Sequence, residues 1–222
     1  MELTVVLAGI PVRLSLRSPA YAACFQPFWT EADPVAAVRV PEDALKEAAP
    51  HYEAGTTPEQ VEYLELGPRV CDALLPYGRI LFHGAAILWR GRVWVFTANS
   101  GTGKTTQYML WKLCFGSEIK ILNGDKPLLE FREGGILVHP SPWRGKEGLG
   151  SLDAAPLGGI ILLEQSEENR MRRLLPAEAA GPLLTQLLFT RKNADDVRAA
   201  CALEERLLSR CPSGCCKTAA TR

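Results

Sequence analysis

The sequence has no net charge and no long hydrophobic run, and each absence excludes a class of protein. Its 222 residues carry 25 Lys and Arg against 25 Asp and Glu. Proteins that bind nucleic acid usually carry an excess of basic residues, so this balance argues against a nucleic-acid partner. No apolar run approaches the ~18 residues that a membrane-spanning helix needs, and we expect no membrane partner. The apolar residues 1–7 have no basic leader and are expected to form a strand rather than a secretion signal.

The seven cysteines show no spacing typical of a disulfide framework. Their odd number and scattered positions predict reduced thiols and a cytoplasmic location. Cys211, Cys215 and Cys216 lie close together, but three thiols with no nearby histidine make an incomplete zinc site. We therefore predict that residues 211–222 form a flexible tail, with a redox or metal role as the alternative.

The hydrophobic pattern predicts an α/β protein with a large core. Apolar residues make up 47% of the chain and charged residues 23%, which is ordinary for a globular protein. Thr57 and Pro58 are typical of a helix start, and Gly67-Pro68 interrupts the pattern that follows, so this segment is expected to be one helix or two. Further along the chain, the pattern predicts a hairpin over 85–97, a helix over 104–115, a strand over 118–122, and helices over 177–189 and 193–209.

A phosphate-binding loop follows the predicted hairpin. Residues 98–106 read Ala-Asn-Ser-Gly-Thr-Gly-Lys-Thr-Thr and match the pattern G-x-x-x-x-G-K-[ST], except that Ala98 replaces its first glycine. Glycines let the backbone approach phosphate oxygens closely, and the amides at the start of the next helix point at the anion. Lys104 supplies a positive charge for the outer phosphates, and Thr105 offers a hydroxyl to Mg²⁺. The predicted cofactor-binding residues are Asn99, Ser100, Gly101, Thr102, Gly103, Lys104, Thr105 and Thr106.

Asp125 is predicted to face this loop. A helix of ~12 residues rises ~18 Å, and a returning strand of ~6 residues covers ~20 Å. The chain therefore comes back to the edge of the sheet that it left, where open α/β folds bind ligands. A carboxylate there can hold Mg²⁺ or accept a proton from a hydroxyl. The alternative is an ordinary turn aspartate beside Gly124.

Two further segments contain candidate site residues. His83 ends a predicted strand, where a histidine can orient a nucleophile or stabilise charge, or serve only the structure. Arg144 lies in the Pro/Gly-rich segment 140–150, next to Trp143. This segment is interpreted either as a lid that clamps substrate or as an ordered surface loop with a packed tryptophan.

The order of these motifs resembles the catalytic domain of the bacterial HPr kinase/phosphorylase family and its smaller relatives, which share a fold with ATP-dependent phosphoenolpyruvate carboxykinase. The resemblance covers residues 79–165. It rests on His83-Gly84, the loop 98–106 and Asp125. It implies an α/β fold in which residues 76–210 form a P-loop kinase domain with a mixed sheet, preceded by a small α+β region of unclear role at 1–75.

The same resemblance implies a serine/threonine kinase that uses ATP and Mg²⁺. Thr105 and Asp125 would hold the metal, Asp125 with help from His83 would activate the acceptor hydroxyl, and Lys104 and Arg144 would complete the catalytic set. The family forms oligomers, so self-association is expected. The family usually has two adjacent acids where this chain has Gly124-Asp125, which leaves one carboxylate for two roles.

The function predicted from the sequence is ATP-dependent transfer of a phosphoryl group to a Ser/Thr-type hydroxyl of a peptide or protein. The missing second acid favours one alternative, a nucleotide-binding sensor or scaffold without chemistry. A kinase acting on a small-molecule hydroxyl is the other alternative.

Overall fold

A computed structural model of the chain describes residues 1–99, 101–211 and 213–219, the last range for its backbone only. Within these residues the chain is an α/β fold of thirteen strands and six α-helices. The strands are β1 Glu2–Leu7, β2 Ile10–Ser15, β3 Ala36–Arg39, β4 Arg79–Phe82, β5 Ala85–Trp89, β6 Arg92–Thr97, β7 Ile119–Asn123, β8 Leu128–Arg132, β9 Gly135–His139, β10 Ala155–Ser166, β11 Arg170–Arg173, β12 Leu187–Leu188 and β13 Ser213–Ala219. The helices are α1 Ala22–Phe25, α2 Glu42–Ala48, α3 Pro58–Leu74, α4 Lys104–Phe115, α5 Pro176–Leu184 and α6 Ala194–Arg210.

The strands form a small sheet and a large mixed sheet. In the small sheet β1 and β2 are antiparallel and β3 runs parallel to β2. The large sheet has the order β12-β4-β8-β9-β10-β6-β5-β7. Strand β10 joins its two halves, because its first residues pair with β9 and the following ones run parallel to β6.

The segments around the phosphate loop form as the sequence predicts. Strands β5 and β6 are an antiparallel hairpin whose turn, Arg90-Gly91, has positive φ at both residues. This is the turn geometry that matches the twist of paired strands. Helix α4 begins at Lys104 and ends at Phe115, before Gly116 with φ 55°. Strand β7 then returns along β5.

Helix α3 is one continuous helix, and the break that Gly67-Pro68 allowed does not occur. The Thr57 side chain caps it by accepting a hydrogen bond from the Gln60 amide at 3.2 Å. The helix buries one face against the sheet, including Leu66, Val70 and Leu74. Burial of this face offsets the hydrogen bond that a proline inside a helix loses.

Helix α5 ends earlier than the predicted 177–189. It stops at Leu184, where the Thr185 hydroxyl donates a hydrogen bond to the Pro182 carbonyl at 2.8 Å. Leu187 and Leu188 then pair with β4 as the edge strand β12. Two apolar residues with an available strand edge beside them favour pairing over another helical turn.

The end of the chain differs from the flexible tail that the sequence predicts. The backbone of β13 runs parallel to β10 and antiparallel to β11. The reason is the length of β10: β9 pairs only with its first two residues, Ala155 and Pro156, so the same edge is free from there to Ser166 and accepts β13. The side chains of Cys215 and Cys216 lie outside the described residues, whereas Cys211 is partly buried, and burial raises its pKa to about 12.

One buried cluster includes both the N-terminal residues and the large sheet. It contains Val5 and Leu14 from the small sheet, Leu66 from α3, and Leu81 and Trp143 from the region of the large sheet. No helix in the described part of the chain is both long enough and apolar enough to cross a bilayer.

Candidate active site

A cleft of about 750 Å³ opens at the start of α4. Its size lies within the range of small-molecule sites. The phosphate loop and α4 form one side, and the turns after β4 and β7 form the base. Residues from α3 and its neighbours form the facing wall. The lining residues are Tyr21, Gln60, Tyr63, Leu64, His83, Gly101, Gly103, Lys104, Thr105, Gly124, Asp125, Lys126, Trp143, Gly145, Lys146 and Glu147.

The glycines of the loop adopt conformations that other residues rarely adopt. Gly101 has φ 79° and Gly103 has φ 107°. A Cβ atom built on either glycine would meet nothing within 4 Å, so the backbone here faces open space in the cleft. An exposed backbone at the N-terminus of a helix is suited to bind an anion. Ser100, which the sequence places in the same loop, lies outside the described residues.

The ammonium group of Lys104 folds back over the loop. Its Nζ donates to the carbonyls of Ala98 at 3.0 Å and Asn99 at 3.4 Å. Partial burial lowers the pKa of Lys104, the positive charge of Lys126 lowers it further, and Asp125 opposes both. Since its hydrogen-bond partners are neutral carbonyls, the Lys104 charge is free to attract an anion in the cleft.

The remaining loop residues differ in where they face. Thr105 lines the cleft beside Lys104. Asn99 and Thr102 are joined by a hydrogen bond from the Thr102 hydroxyl to the Asn99 carbonyl at 2.9 Å, and both line a separate cavity of about 340 Å³. Thr106 is exposed and lines neither cavity.

A buried asparagine holds the Asp125 backbone. The Asn123 side chain is fully buried, and its Oδ1 accepts hydrogen bonds from the amides of Asp125 at 2.9 Å and Lys126 at 2.7 Å. Its Nδ2 donates to the carbonyl of Ser141 at 3.1 Å. This Asx turn fixes the direction of the chain, so that the Asp125 carboxylate points into the cleft.

The Asp125 carboxylate lies between two nitrogen groups. One oxygen is 3.5 Å from His83 Nε2, and the other forms an ion pair with Lys126 Nζ. The ion pair with Lys126 is a feature that the sequence analysis missed, although the residue directly follows Asp125. Together with Lys104, these groups give the base of the cleft more positive than negative charge, which favours an anionic ligand.

The hydrogen bonds around His83 determine which ring nitrogen holds the proton. The Thr185 hydroxyl donates to the Pro182 carbonyl, so it accepts from Gln186 Nε2 at 3.0 Å. The amide oxygen of Gln186 then faces His83 Nδ1 at 3.0 Å, and Nδ1 must be the donor. The neutral imidazole therefore presents the lone pair of Nε2 toward Asp125.

Burial lowers the pKa of His83 from its ordinary value of 6.5, and the nearby Lys104 charge lowers it further. Asp125 and the hydrogen bond with Gln186 act in the opposite direction. His83 is consequently neutral at pH 7 and can accept a proton. Gln186 was missed in the sequence, since only the pairing of β12 with β4 brings it beside His83.

Arg144 is the predicted catalytic residue that the structure does not bring into the cleft. Its guanidinium lies over the Phe28 ring at 5.8 Å, and its Nε makes no hydrogen bond within the described residues. Trp143 is 1% exposed, and its indole donates to the Tyr63 carbonyl at 2.8 Å. The indole is buried against α3, as the packed-tryptophan interpretation expects, and the neighbouring Arg144 lies over Phe28 outside the cleft. Its catalytic role stays a prediction.

The same loop brings a second carboxylate to the cleft. A Cβ atom built on Gly145 would lie 3.5 Å from Glu147 Oε2 and 3.7 Å from Asp125 Cγ, so the two acidic side chains flank this glycine. Gly145 has φ 77°, a backbone conformation that glycine adopts most easily, and a side chain here would crowd Asp125. No spacing rule in the sequence predicts Glu147, because only the fold of this loop brings it close to Asp125.

The facing wall of the cleft comes from residues 1–75. Tyr21 stacks on Tyr63 with ring centroids 4.7 Å apart, and the Tyr63 hydroxyl donates to the Pro142 carbonyl at 2.9 Å. Burial raises the pKa of Tyr63 above its ordinary value, so its hydroxyl stays protonated. This aromatic wall is fixed to the loop at 140–150 and limits what can approach Asp125 from that side.

The donor groups in the cleft fit a nucleotide with Mg²⁺. An open glycine loop, a lysine and a threonine hydroxyl suit phosphates and their metal, and Asp125 offers a carboxylate. Mg²⁺ at such sites is held by one or two protein groups together with phosphate oxygens. No group of three or more His, Cys, Asp or Glu side chains able to hold a metal by themselves occurs in the described part of the chain.

No family model matches the sequence, and no curated protein matches it. Among solved structures, the fold is similar to the Hpr(Ser) kinase/phosphatase from Coxiella burnetii. The two are 10% identical, the match covers 58% of this chain and 91% of that one, and the TM-score is 0.33. This is a distant likeness of fold, and it carries no argument about activity, substrate or site residues. Membership of the kinase family therefore stays a prediction.

Proposed function

We propose that this chain is an ATP-dependent kinase that transfers a phosphoryl group to a hydroxyl of the Ser/Thr type on a peptide or protein. The observation that carries the proposal is the shared cleft: an open glycine-rich loop with Lys104 lies on one side, and Asp125 and His83 lie 3.5 Å apart at its base. Phosphoryl transfer depends mainly on positioning and charge neutralisation, which such a set can supply.

ATP and Mg²⁺ are assigned to the loop side of the cleft. Within the loop at 99–106, Gly101, Gly103 and Lys104 would hold the phosphates, with Lys104 at the outer ones. Thr105 and Asp125 would hold the metal. Bound Mg²⁺ would neutralise charge on the phosphate oxygens during transfer.

The acceptor hydroxyl is assigned to the space beside Asp125. Its proton moves to the Asp125 carboxylate, and the His83 Nε2 lone pair at 3.5 Å stabilises that proton. Lys126 competes for the same carboxylate, so a phosphate that attracts the Lys126 ammonium frees Asp125 to act as the base.

The direct test incubates the purified chain with ATP, Mg²⁺ and a library of Ser/Thr peptides, and mass spectrometry follows the gain of one phosphate. A parallel set of small alcohols tests the small-molecule alternative. Tight nucleotide binding by calorimetry with no phosphorylated product in either set would contradict the kinase proposal and support a sensor or scaffold. Phosphorylated alcohols without phosphorylated peptides would contradict the choice of acceptor.

A mutation of Gln186 tests the role of His83. Since protonation of His83 removes its lone pair, we expect the transfer rate to fall as pH drops through the lowered His83 pKa. Replacing Gln186 with Glu places a negative charge beside Nδ1, which raises the His83 pKa and moves this acidic limb upward by about 1 pH unit. The checks are the pH dependence of kcat and an NMR titration of the His83 ring.

Gln165→Glu is the matched control, since Gln165 is exposed on β10 and forms no hydrogen bond with His83 among the described residues. It should leave both measurements as in the wild type. A rate profile that moves equally in both variants would reject the assigned tautomer.

A mutation of Glu147 tests whether the second carboxylate contributes. We expect Glu147→Gln to lower the transfer rate about tenfold and to raise the Mg²⁺ concentration needed for half activity, because one negative charge near the metal is lost. The measurement is a Mg²⁺ titration of kcat. Glu133→Gln, in the exposed β8–β9 turn, is the control. If Glu147→Gln needs the same Mg²⁺ concentration as the wild type, the Glu147 carboxylate plays no part in metal binding.

A further inference from the structure

A second cavity, of about 360 Å³, lies at the end of β6 opposite to the phosphate loop. Strand β6 begins beside this cavity and ends beside the loop, about 17 Å away at the usual rise of a strand. The cavity has an apolar surface formed by Ile136, Leu137, Pro156 and Leu157. It is therefore separate from the cleft that holds Asp125.

Three arginines from three elements surround this cavity, which we call the arginine cavity: Arg92, Arg132 and Arg210. Arg210 Nη1 donates to the Arg132 carbonyl at 3.0 Å and also to the carbonyl of Glu133, so its partners are uncharged. Arg92 is exposed at the start of β6 and forms no ion pair with the described residues.

The acidic groups nearby do not neutralise these arginines. Arg132 pairs with Glu130 at 2.7 Å, but the same buried carboxylate also binds Arg79 at 2.6 Å and His139 at 2.7 Å. Glu133 is exposed and does not line the cavity. In a chain with no net charge, this end of the sheet therefore holds an excess of positive charge.

We propose that the arginine cavity binds a small ligand that carries a phosphate or carboxylate group on an apolar body. Guanidinium groups stay charged at all working pH values and match the geometry of both oxyanions. The apolar surface accommodates the body of the ligand. The cavity volume lies near the lower end of the range for small-molecule sites, so the ligand is small.

The test uses the full chain carrying Lys104→Ala, so that binding of a phosphate in the cleft is weakened. Calorimetric titrations use phenyl phosphate, benzoate and the neutral analogue phenol. We expect saturable binding of at least one of the two anions and none of phenol. Adding Arg92→Gln should weaken the anion about tenfold, the loss expected for a charge-assisted contact.

Arg90→Gln in the same background is the matched control. Arg90 lies in the same hairpin but is paired with Glu118 at 3.2 Å and does not line the cavity. Equal affinities in the Arg92→Gln and parent proteins, equal losses in the two arginine variants, or binding of phenol as tight as the anions would each overturn the proposal. The preferred anion identifies the oxyanion of the ligand. Failure of the kinase proposal leaves this result unaffected, since no transfer is measured.

Discussion

Replacing Lys104 with alanine is expected to weaken phosphoryl transfer by about 100-fold or more, the usual cost of removing a group that neutralises developing charge. Lys104 is the cation at the start of α4, and among the described residues its ammonium is held by two loop carbonyls alone. Its loss therefore removes attraction for the outer phosphates without breaking an ion pair. We expect ATP affinity and transfer rate to fall together, as measured by calorimetry and by mass spectrometry of the acceptor.

The fold should survive this change. The glycines that shape the loop remain, and α4 still ends at Gly116. Lys112→Ala on the same helix is the matched control, since Lys112 Nζ donates to the Ile119 carbonyl at 3.3 Å and does not line the cleft. If Lys104→Ala keeps the wild-type melting temperature and full activity, the loop takes no part in phosphoryl transfer.

The centre of the fold was predictable because its signals are local. A glycine-rich loop between an apolar strand and an amphipathic segment specifies β6, the loop and α4 with little help from the rest of the chain. The position of Asp125 followed from the lengths of α4 and β7, because a helix and a strand of these lengths return to the same edge of a sheet. His83 was predicted as a site residue because it directly follows the strand β4.

The remaining site residues come from contacts between distant parts of the chain. Gln186 reaches His83 because a two-residue strand pairs with β4, and no propensity predicts so short an element. Tyr63 enters the cleft because the first half of α3 packs against the loop at 140–150, where its hydroxyl donates to the Pro142 carbonyl. Arg144 lies outside the cleft for a similar reason, since burial of Trp143 against α3 determines where its neighbour lies. Patterns in sequence report periodicity, whereas these positions depend on tertiary packing.

Replacing Asp125 with asparagine should reduce the transfer rate by about 10²–10⁴-fold, the range for loss of a general base. Asparagine keeps the size of the side chain, and the hydrogen bond from the residue-125 amide to Asn123 Oδ1 is preserved. Lys126 loses its partner and gains freedom to contact a phosphate. We therefore expect ATP binding without Mg²⁺ to be unchanged or tighter, while transfer is lost.

This combination separates the kinase from a nucleotide sensor. A sensor would bind ATP in both proteins and phosphorylate nothing in either, whereas a kinase loses only the chemical step in the variant. Asp153→Asn is the matched control, since Asp153 pairs with Lys120 and does not line the cleft. If Asp125→Asn keeps the wild-type rate at saturating Mg²⁺, the base lies elsewhere, and Glu147 is then the carboxylate in the cleft to replace next, because it flanks the same glycine.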